Sequence, residues 1–391
     1  MKCTIPEISW HNRDPVLSVD VQVKKPDEPF YRLASGGSDT HVLIWRIIRQ
    51  DTGVLQLDCV CDLTKHQKAV NVVKFSPSGE FLASGDDESY IIIWKQRSKE
   101  DAPDLDKEVE MNDEHWIQFK ILRGHLNDVY DLCWSPDSIH LLSGSVDNTA
   151  IIWHVTKGHK VSILSEGNNF IQGVTWDPKN KFAATLSSDS KCRIYDWRSH
   201  KMVFNIGRGR IPGHLPSPGE EDKKLKLFHD DTLKTFFRRL EFSPDGQLLS
   251  TPTGTIEPPV NTSEKLLNVT WIFARKQFNT PVLYYPSNQP SMITRWCPIK
   301  FQLRPETKPV ILLPYRMILA VASKSAIVLY DTQYAVPIGL ISNIHYTKLT
   351  DMAWSSDGRI LVASSTDGYC SLITFTENEL GDCYIEAETS S

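Results

Sequence analysis

His125 and Asp147 have the residue types of an acid–base pair: an imidazole that titrates near neutrality and a carboxylate that could orient it. The pair does not stand alone. His66 precedes a similar stretch, and acids recur in the small-residue turns ASGGSDT at 34–40, ASGDDES at 83–89 and LSGSVDNT at 142–149. A catalytic dyad is needed once, so its repetition along a chain favours a structural network over catalysis. Metal ligation fares no better. Cys59 and Cys61 form a C-x-C pair, but no second Cys or His pair stands at zinc-finger spacing, so alternate residues of one strand is the expected reading. There is no G-x-S-x-G, no P-loop, no dinucleotide fingerprint and no H-E-x-x-H. The expectation is a protein that is not an enzyme, holds no metal or cofactor, and works by binding on its surfaces and insertions.

Two segments offer binding chemistry. The run at 99–114, KEDAPDLDKEVEMNDE, sets eight acids against two lysines and would suit a basic partner, or simply stay solvated. The run LFHDDTLKTFFRRLEFSPDG at 227–246 combines Asp230 and Asp231 with Phe236, Phe237, Arg238 and Arg239, immediately before a strand. Aromatic and Arg residues together make interface anchors. The opposing expectation is that the phenylalanines pack under the insertion and the arginines pair with the two aspartates. The six residues are carried forward as partner-binding candidates.

The elements that position these residues repeat. β-Branched runs end in Trp at HVLIW (Trp45), YIIIW (Trp94) and TAIIW (Trp153), and the last two follow KFSPSGEFL at 74–82 and CWSPDSIHL at 133–141. Seven copies of this unit can be traced. The fourth has Tyr195 in the Trp place, the fifth closes with VTWIF at 269–273, the sixth is degenerate, and the seventh spans 351–375. The FSP-x-G segment is a strand entering a turn, where Pro fixes φ and Gly permits a positive one.

Length and charge set the remaining bounds. Of 391 residues, 40% are hydrophobic and 23% charged, a globular balance. The net charge of −5 argues against strong direct DNA binding, which needs a concentrated positive field. MKCTIPEISWHNRDP has no apolar secretory segment, and runs such as Ile91–Trp94 or Met317–Ala322 are too short to cross a bilayer, so no membrane role is expected. The eight cysteines are read as reduced thiols.

The repeat resembles that of the WD-repeat family over nearly the whole chain. The resemblance implies an all-β, seven-bladed WD-repeat β-propeller over 1–376, with a C-terminal tail at 377–391 expected to be flexible. Seven blades of about 42 residues leave about 97 for insertions and tail, with the main insertions near 98–115 and 207–235. In that family a buried His, Ser, Asp and Trp share a hydrogen-bond chain within a blade. The matching residues are His11, Ser35, Asp39 and Trp45 in the first repeat and His125, Ser143, Asp147 and Trp153 in the third. The second has His66, Ser84 and Trp94, with Glu88 in the Asp register and Asp87 beside it. Ring closure needs a strand for the last blade, and Cys3–Ser9 is the expected donor.

The HDDT–FFRR–FSPDG run narrows the resemblance to two related groups of chromatin proteins. One is the middle WD-repeat subunits of chromatin assembly factor 1; the other is the HIRA-type propellers. EISWHNRDPVLSVD at 7–20, RGHLNDVYDLCWSPD at 123–137 and LPYRMILAVAS at 313–323 match the first group and not the second. That resemblance implies a nuclear, non-catalytic scaffold in nucleosome assembly. It would be bound to the large and small subunits of chromatin assembly factor 1 and act on histone three–histone four, directly or through them. It also brings in the anti-silencing histone chaperone, which members dock through a basic motif in a longer tail. No such motif stands in NELGDCYIEAETSS at 378–391. The alternatives are a HIRA-type subunit and a general peptide-binding or ubiquitin-ligase-adaptor propeller.

Overall fold

The computed structural model describes residues 1–50, 54–97, 113–213, 224–258 and 265–385. Among them every regular element is a strand, and the strands form seven four-stranded antiparallel sheets plus one two-stranded ribbon. Each sheet is a blade. The inner strands are Val16–Val21, Val70–Phe75, Val129–Trp134, Ile171–Trp176, Glu241–Phe242, Ile293–Phe301 and Leu349–Trp354, for blades 1 to 7 in order. Within a blade the next two strands are buried on both faces, which is why they read as continuous apolar runs rather than alternating ones. The core lies between blades. Trp10, Trp45 and Leu372 pack blade 7 against blade 1, Ile91, Trp134 and Trp153 pack blade 2 against blade 3, and the other pairs are filled likewise.

The ring closes with the N-terminus. Lys2–Thr4 pairs antiparallel with Cys370–Thr374, Cys3 opposite Ile373, and supplies the outer strand of blade 7. This covers an edge that would otherwise be open. The strand is shorter than the Cys3–Ser9 expected: it ends at Thr4, and Trp10 is then buried against Trp45 with ring centroids 4.6 Å apart.

The insertions are partly visible. Arg208–Gly209 pairs with Leu225–Lys226 at the base of the second insertion, while 214–223 lies outside the described residues. Most of the acidic run at 99–114 also lies outside them. Its described end, Glu114, turns inward and takes ion pairs from Arg32 at 2.9 Å and Arg46 at 3.0 Å. The start of the expected tail does not trail away: Gln302 N donates to Asp382 O, and Tyr384 packs on Tyr315 at 5.2 Å. Residues 386–391 lie outside the described residues.

Candidate partner-binding surface and the buried networks

In blade 1, His11 Nδ1 lies 2.8 Å from Asp39, its Nε2 lies 2.8 Å from Ser35 Oγ, and Trp45 Nε1 donates to the same oxygen at 2.8 Å. A carboxylate only accepts and an indole N–H only donates, so the chain runs in one direction. Nδ1–H donates to Asp39, the Ser35 hydroxyl donates to Nε2, and the hydroxyl oxygen accepts from Trp45. Blade 3 repeats this with His125–Asp147 at 2.9 Å, His125–Ser143 at 2.7 Å and Trp153–Ser143 at 2.8 Å. Burial alone would raise the Asp147 carboxyl. Hydrogen bonds from His125 and Thr149 outweigh it and hold the group well below the usual carboxylate range. The serine and histidine side chains are buried, and neither the channel cavity nor the cavity on the rim of blade 4 touches them. The arrangement satisfies polar groups inside a blade.

Blade 2 corrects the sequence reading. His66 Nδ1 lies 2.6 Å from Asp86, and neither Asp87 nor Glu88 is its partner. Asp86 ends the strand Phe81–Asp86, two residues after Ser84, so the two side chains share one face of that strand. Its other oxygen accepts from Glu88 N and Tyr90 N, each at 2.9 Å, which fixes the turn. Asp87 instead accepts from Asn71 Nδ2.

Blade 7 holds a network the sequence reading missed. His345 Nδ1 lies 3.1 Å from Asp367 and its Nε2 lies 2.8 Å from Ser371. Ala363 occupies the usual serine position and pairs with Ser371 on the next strand, so the hydroxyl arrives from the neighbouring strand. The repeated His–Asp spacing, 22 residues in both blades 3 and 7, was the available signal.

The FFRR segment splits between interior and surface. Arg238 and Arg239 are wholly buried. Arg238 donates from Nη1 to His229 O and from Nη2 to Asp230 O, both at 2.6 Å, so it clamps the returning insertion through its backbone rather than through the aspartate carboxylates. Burial pushes its guanidinium down to about 10. Its own carbonyl passes so close to Gly173 that a Cβ there would stand 2.0 Å from the oxygen, a position only glycine allows. Arg239 points into the channel. It pairs with Asp351, donates to Asn71 O at 2.8 Å, and lies 4.2 Å from the centre of the Phe237 ring. Neither of these two guanidinium groups is exposed to make the expected contact with another chain.

The surface part is Phe236, 67% exposed, set edge-to-face on Tyr130 with centroids 6.2 Å apart. Asp231, five residues earlier in the chain, is exposed, and Asp230 pairs with Lys226 at 2.6 Å. Across Tyr130 stand Asp128 and Asp87. Burial and the Asp87 charge raise the Asp128 carboxyl, and burial with both charges pushes the Tyr130 phenol up to about 12. An exposed ring bordered by acids fits a basic partner.

The family model for the CAF1B/HIR1 beta-propeller domain matches residues 1–380. The chain belongs to the CAF1B/HIR1 β-propeller family. Within it the chain is similar to the CAF1B subunit of chromatin assembly factor 1 from Mus musculus, at 45% identity covering 97% of this chain and 68% of the mouse protein. It is similar to the corresponding chromatin assembly factor 1 protein from Gallus gallus, at 44% covering 97% and 69%. "Protein HIR1" of Kluyveromyces lactis is 28% identical over 95% of this chain and 42% of its own length. As a CAF1B/HIR1 propeller, the chain devotes all but its last eleven residues to the matched domain.

Proposed function

We propose that this chain is a non-catalytic, nuclear scaffold component of chromatin assembly factor 1. In this reading it joins the large and small subunits, and the complex deposits newly made histone three–histone four on DNA during replication and repair. The observation that carries the reading is the 45% identity, along 97% of the chain, to a protein named as a subunit of chromatin assembly factor 1. The structure is consistent with it: the histidine networks are sealed within blades, and the exposed aromatic-acidic patch around Phe236 suits a basic partner. We assign Phe236, Asp230 and Asp231 to the partner-facing surface, with Arg238 and Arg239 holding the segment from beneath. With a net charge of −5, the isolated chain binds duplex DNA weakly, and DNA affinity belongs to other subunits.

The HIR1 resemblance supports a second reading, a component for replication-independent deposition, at 28% identity. Affinity purification of the tagged chain from replicating cells separates the two. Recovery of the large subunit of chromatin assembly factor 1 supports the first, and recovery of HIRA-type partners in its place supports the second.

A further inference from the structure

The inner strands place side chains in two layers around the channel. The outer layer includes Asp20, Lys74, Thr175 and Glu241, each just before its strand's last residue, and Arg295, just before Trp296, and a cavity of about 320 Å³ opens on it. Asp131 also lines that cavity, from the deeper layer that it shares with Arg239 and Asp351.

The charges of this mouth are unevenly paired. Four carboxylates, Asp20, Asp131, Glu241 and Asp351, face three cations, Lys74, Arg239 and Arg295. Asp351 takes all three, with Arg295 at 2.9 Å, Lys74 at 3.6 Å and Arg239 in direct contact. Asp20 shares Lys74 at 3.3 Å. The side formed by blades 3 to 5 is left acidic. Glu241 Oε2 accepts the backbone N–H of Trp296 at 2.5 Å, and among the described residues no ammonium or guanidinium forms an ion pair with it. Asp131 is 2% exposed. Its Oδ2 accepts from Val174 N at 2.9 Å, but its Oδ1 accepts no hydrogen bond, and Arg239 Nε, 3.8 Å away, donates none. A buried carboxylate oxygen without a donor is costly, and a cation offering N–H groups would satisfy it.

The rim adds shape. Trp134, Trp296 and Trp354 each donate an indole N–H to a carbonyl of the preceding blade's inner strand, at 2.9, 3.3 and 3.2 Å. Their rings are thereby fixed around an entrance also lined by Pro77 and Pro298. Such a collar suits an alkyl stem with a planar cation at its tip, and a guanidinium keeps its charge when it is desolvated.

We propose that this mouth of the channel binds one arginine side chain of a basic polypeptide, its guanidinium seated between Glu241 and Asp131. Burial holds the Glu241 carboxyl up at about 7, against the lowering charges of Arg295 and Lys74 and with the raising charge of Asp20. A guanidinium favours the ionised carboxylate, so binding strengthens as pH rises through 7. The site is separate from the Phe236 surface and does not depend on the assembly reading.

The test uses the full chain labelled with 5-fluorotryptophan. It is titrated with a Gly/Ser heptapeptide carrying one arginine, and with citrulline and lysine twins. Fluorine resonances of Trp134, Trp296 and Trp354, assigned by single Trp→Phe variants, report the mouth, and the other tryptophans report the fold. The arginine peptide should give saturable shifts at the three mouth resonances and bind about tenfold more tightly at pH 8 than at pH 6. The citrulline twin should bind at least tenfold more weakly, and the lysine twin more weakly than arginine. Glu241→Gln, which keeps an acceptor for Trp296 N, should weaken binding about tenfold and reduce the pH dependence, leaving only what Asp131, itself raised by burial, contributes. Asp131→Asn gives an independent second loss. Absence of saturation, equal binding of the arginine and citrulline peptides, or wild-type affinity in a folded Glu241→Gln or Asp131→Asn protein would overturn the proposal. So would equal binding of arginine and lysine.

Discussion

Arg239, at the entry to blade 5, and Asp351, in the inner strand of blade 7, form an ion pair across the channel. Asp351 also receives Arg295 of blade 6, Lys74 of blade 2 and the Ser18 hydroxyl of blade 1. Burial alone would raise its carboxyl, but these partners hold it well below the usual range. Five of the seven blades thus meet at one carboxylate, and a residue offered by type as an interface anchor instead ties the ring together.

Replacing Arg239 with Ala takes one of three cations from Asp351, leaving it Arg295 and Lys74, and strands the Asn71 carbonyl in the channel. Removing one partner of a buried ion pair costs about 3–5 kcal/mol, and urea unfolding should show a loss of that size. Arg238→Ala frees two backbone carbonyls but no carboxylate, and should cost about 1–3 kcal/mol. Equal, small losses in both would mean that the channel ion pair does not hold the blades.

The blade 2 network makes a prediction about neighbouring acids. Asp86→Ala removes the partner of His66 and the acceptor of two turn N–H groups, and should destabilise by about 1–3 kcal/mol. Glu88→Ala, four residues after Ser84, should stay within about 0.5 kcal/mol of wild type, as surface changes do. Trp153→Ala in blade 3 sets the scale at about 3–5 kcal/mol. If thermal melting shows Glu88 to be the costlier acid, the network is misassigned.

Glu241 gives the chain a pH dependence of defined sign. An unfolded glutamate titrates near about 4.3, whereas burial holds this one up at about 7. Between those values the unfolded chain is ionised and the folded one protonated. Its contribution to stability is therefore full below the unfolded value, falls as pH rises toward 7, and is flat above. Asp351, shifted the opposite way, loses its contribution only in stronger acid. Glu241→Gln should raise the melting temperature relative to wild type, more at pH 8 than at pH 5. A difference that does not change with pH would show that Glu241 titrates as an ordinary surface carboxylate.

Phe236 separates surface from core. Its ring is 67% exposed, so Phe236→Asp should leave the melting temperature near that of wild type. Placed beside Tyr130, with Asp128 near that ring, the change removes the apolar contact and should weaken capture of the large subunit at least tenfold, the loss of a hot-spot side chain. Unchanged capture would move the partner surface elsewhere on the ring.

Much of the fold is legible because each blade writes its own local signature. His125, Ser143, Asp147 and Trp153 lie within one repeat, and their spacing alone brings them into one chain of hydrogen bonds. The signature misleads where a residue slides. Asp86 does from a strand end what Asp39 and Asp147 do from the turn, and Ser371 supplies from the next strand the hydroxyl that Ala363 lacks. The channel was not legible, because its layers join residues as distant as Ser18 and Asp351, and only closure of the ring brings them together. For the same reason the sequence left Arg238 and Arg239 open between a contact with another chain and pairing with Asp230 and Asp231: nothing local shows that the strand after them turns both guanidinium groups inward.

The proposed role of this ring is to hold the large subunit of chromatin assembly factor 1 as a scaffold. The direct measurement is size-exclusion chromatography with light scattering on the purified chain mixed with the purified large subunit at physiological salt. The scaffold role predicts a single co-eluting complex with a defined mass ratio, formed by the wild-type chain and reduced by Phe236→Asp. Separate elution of two folded proteins at micromolar concentration would contradict it.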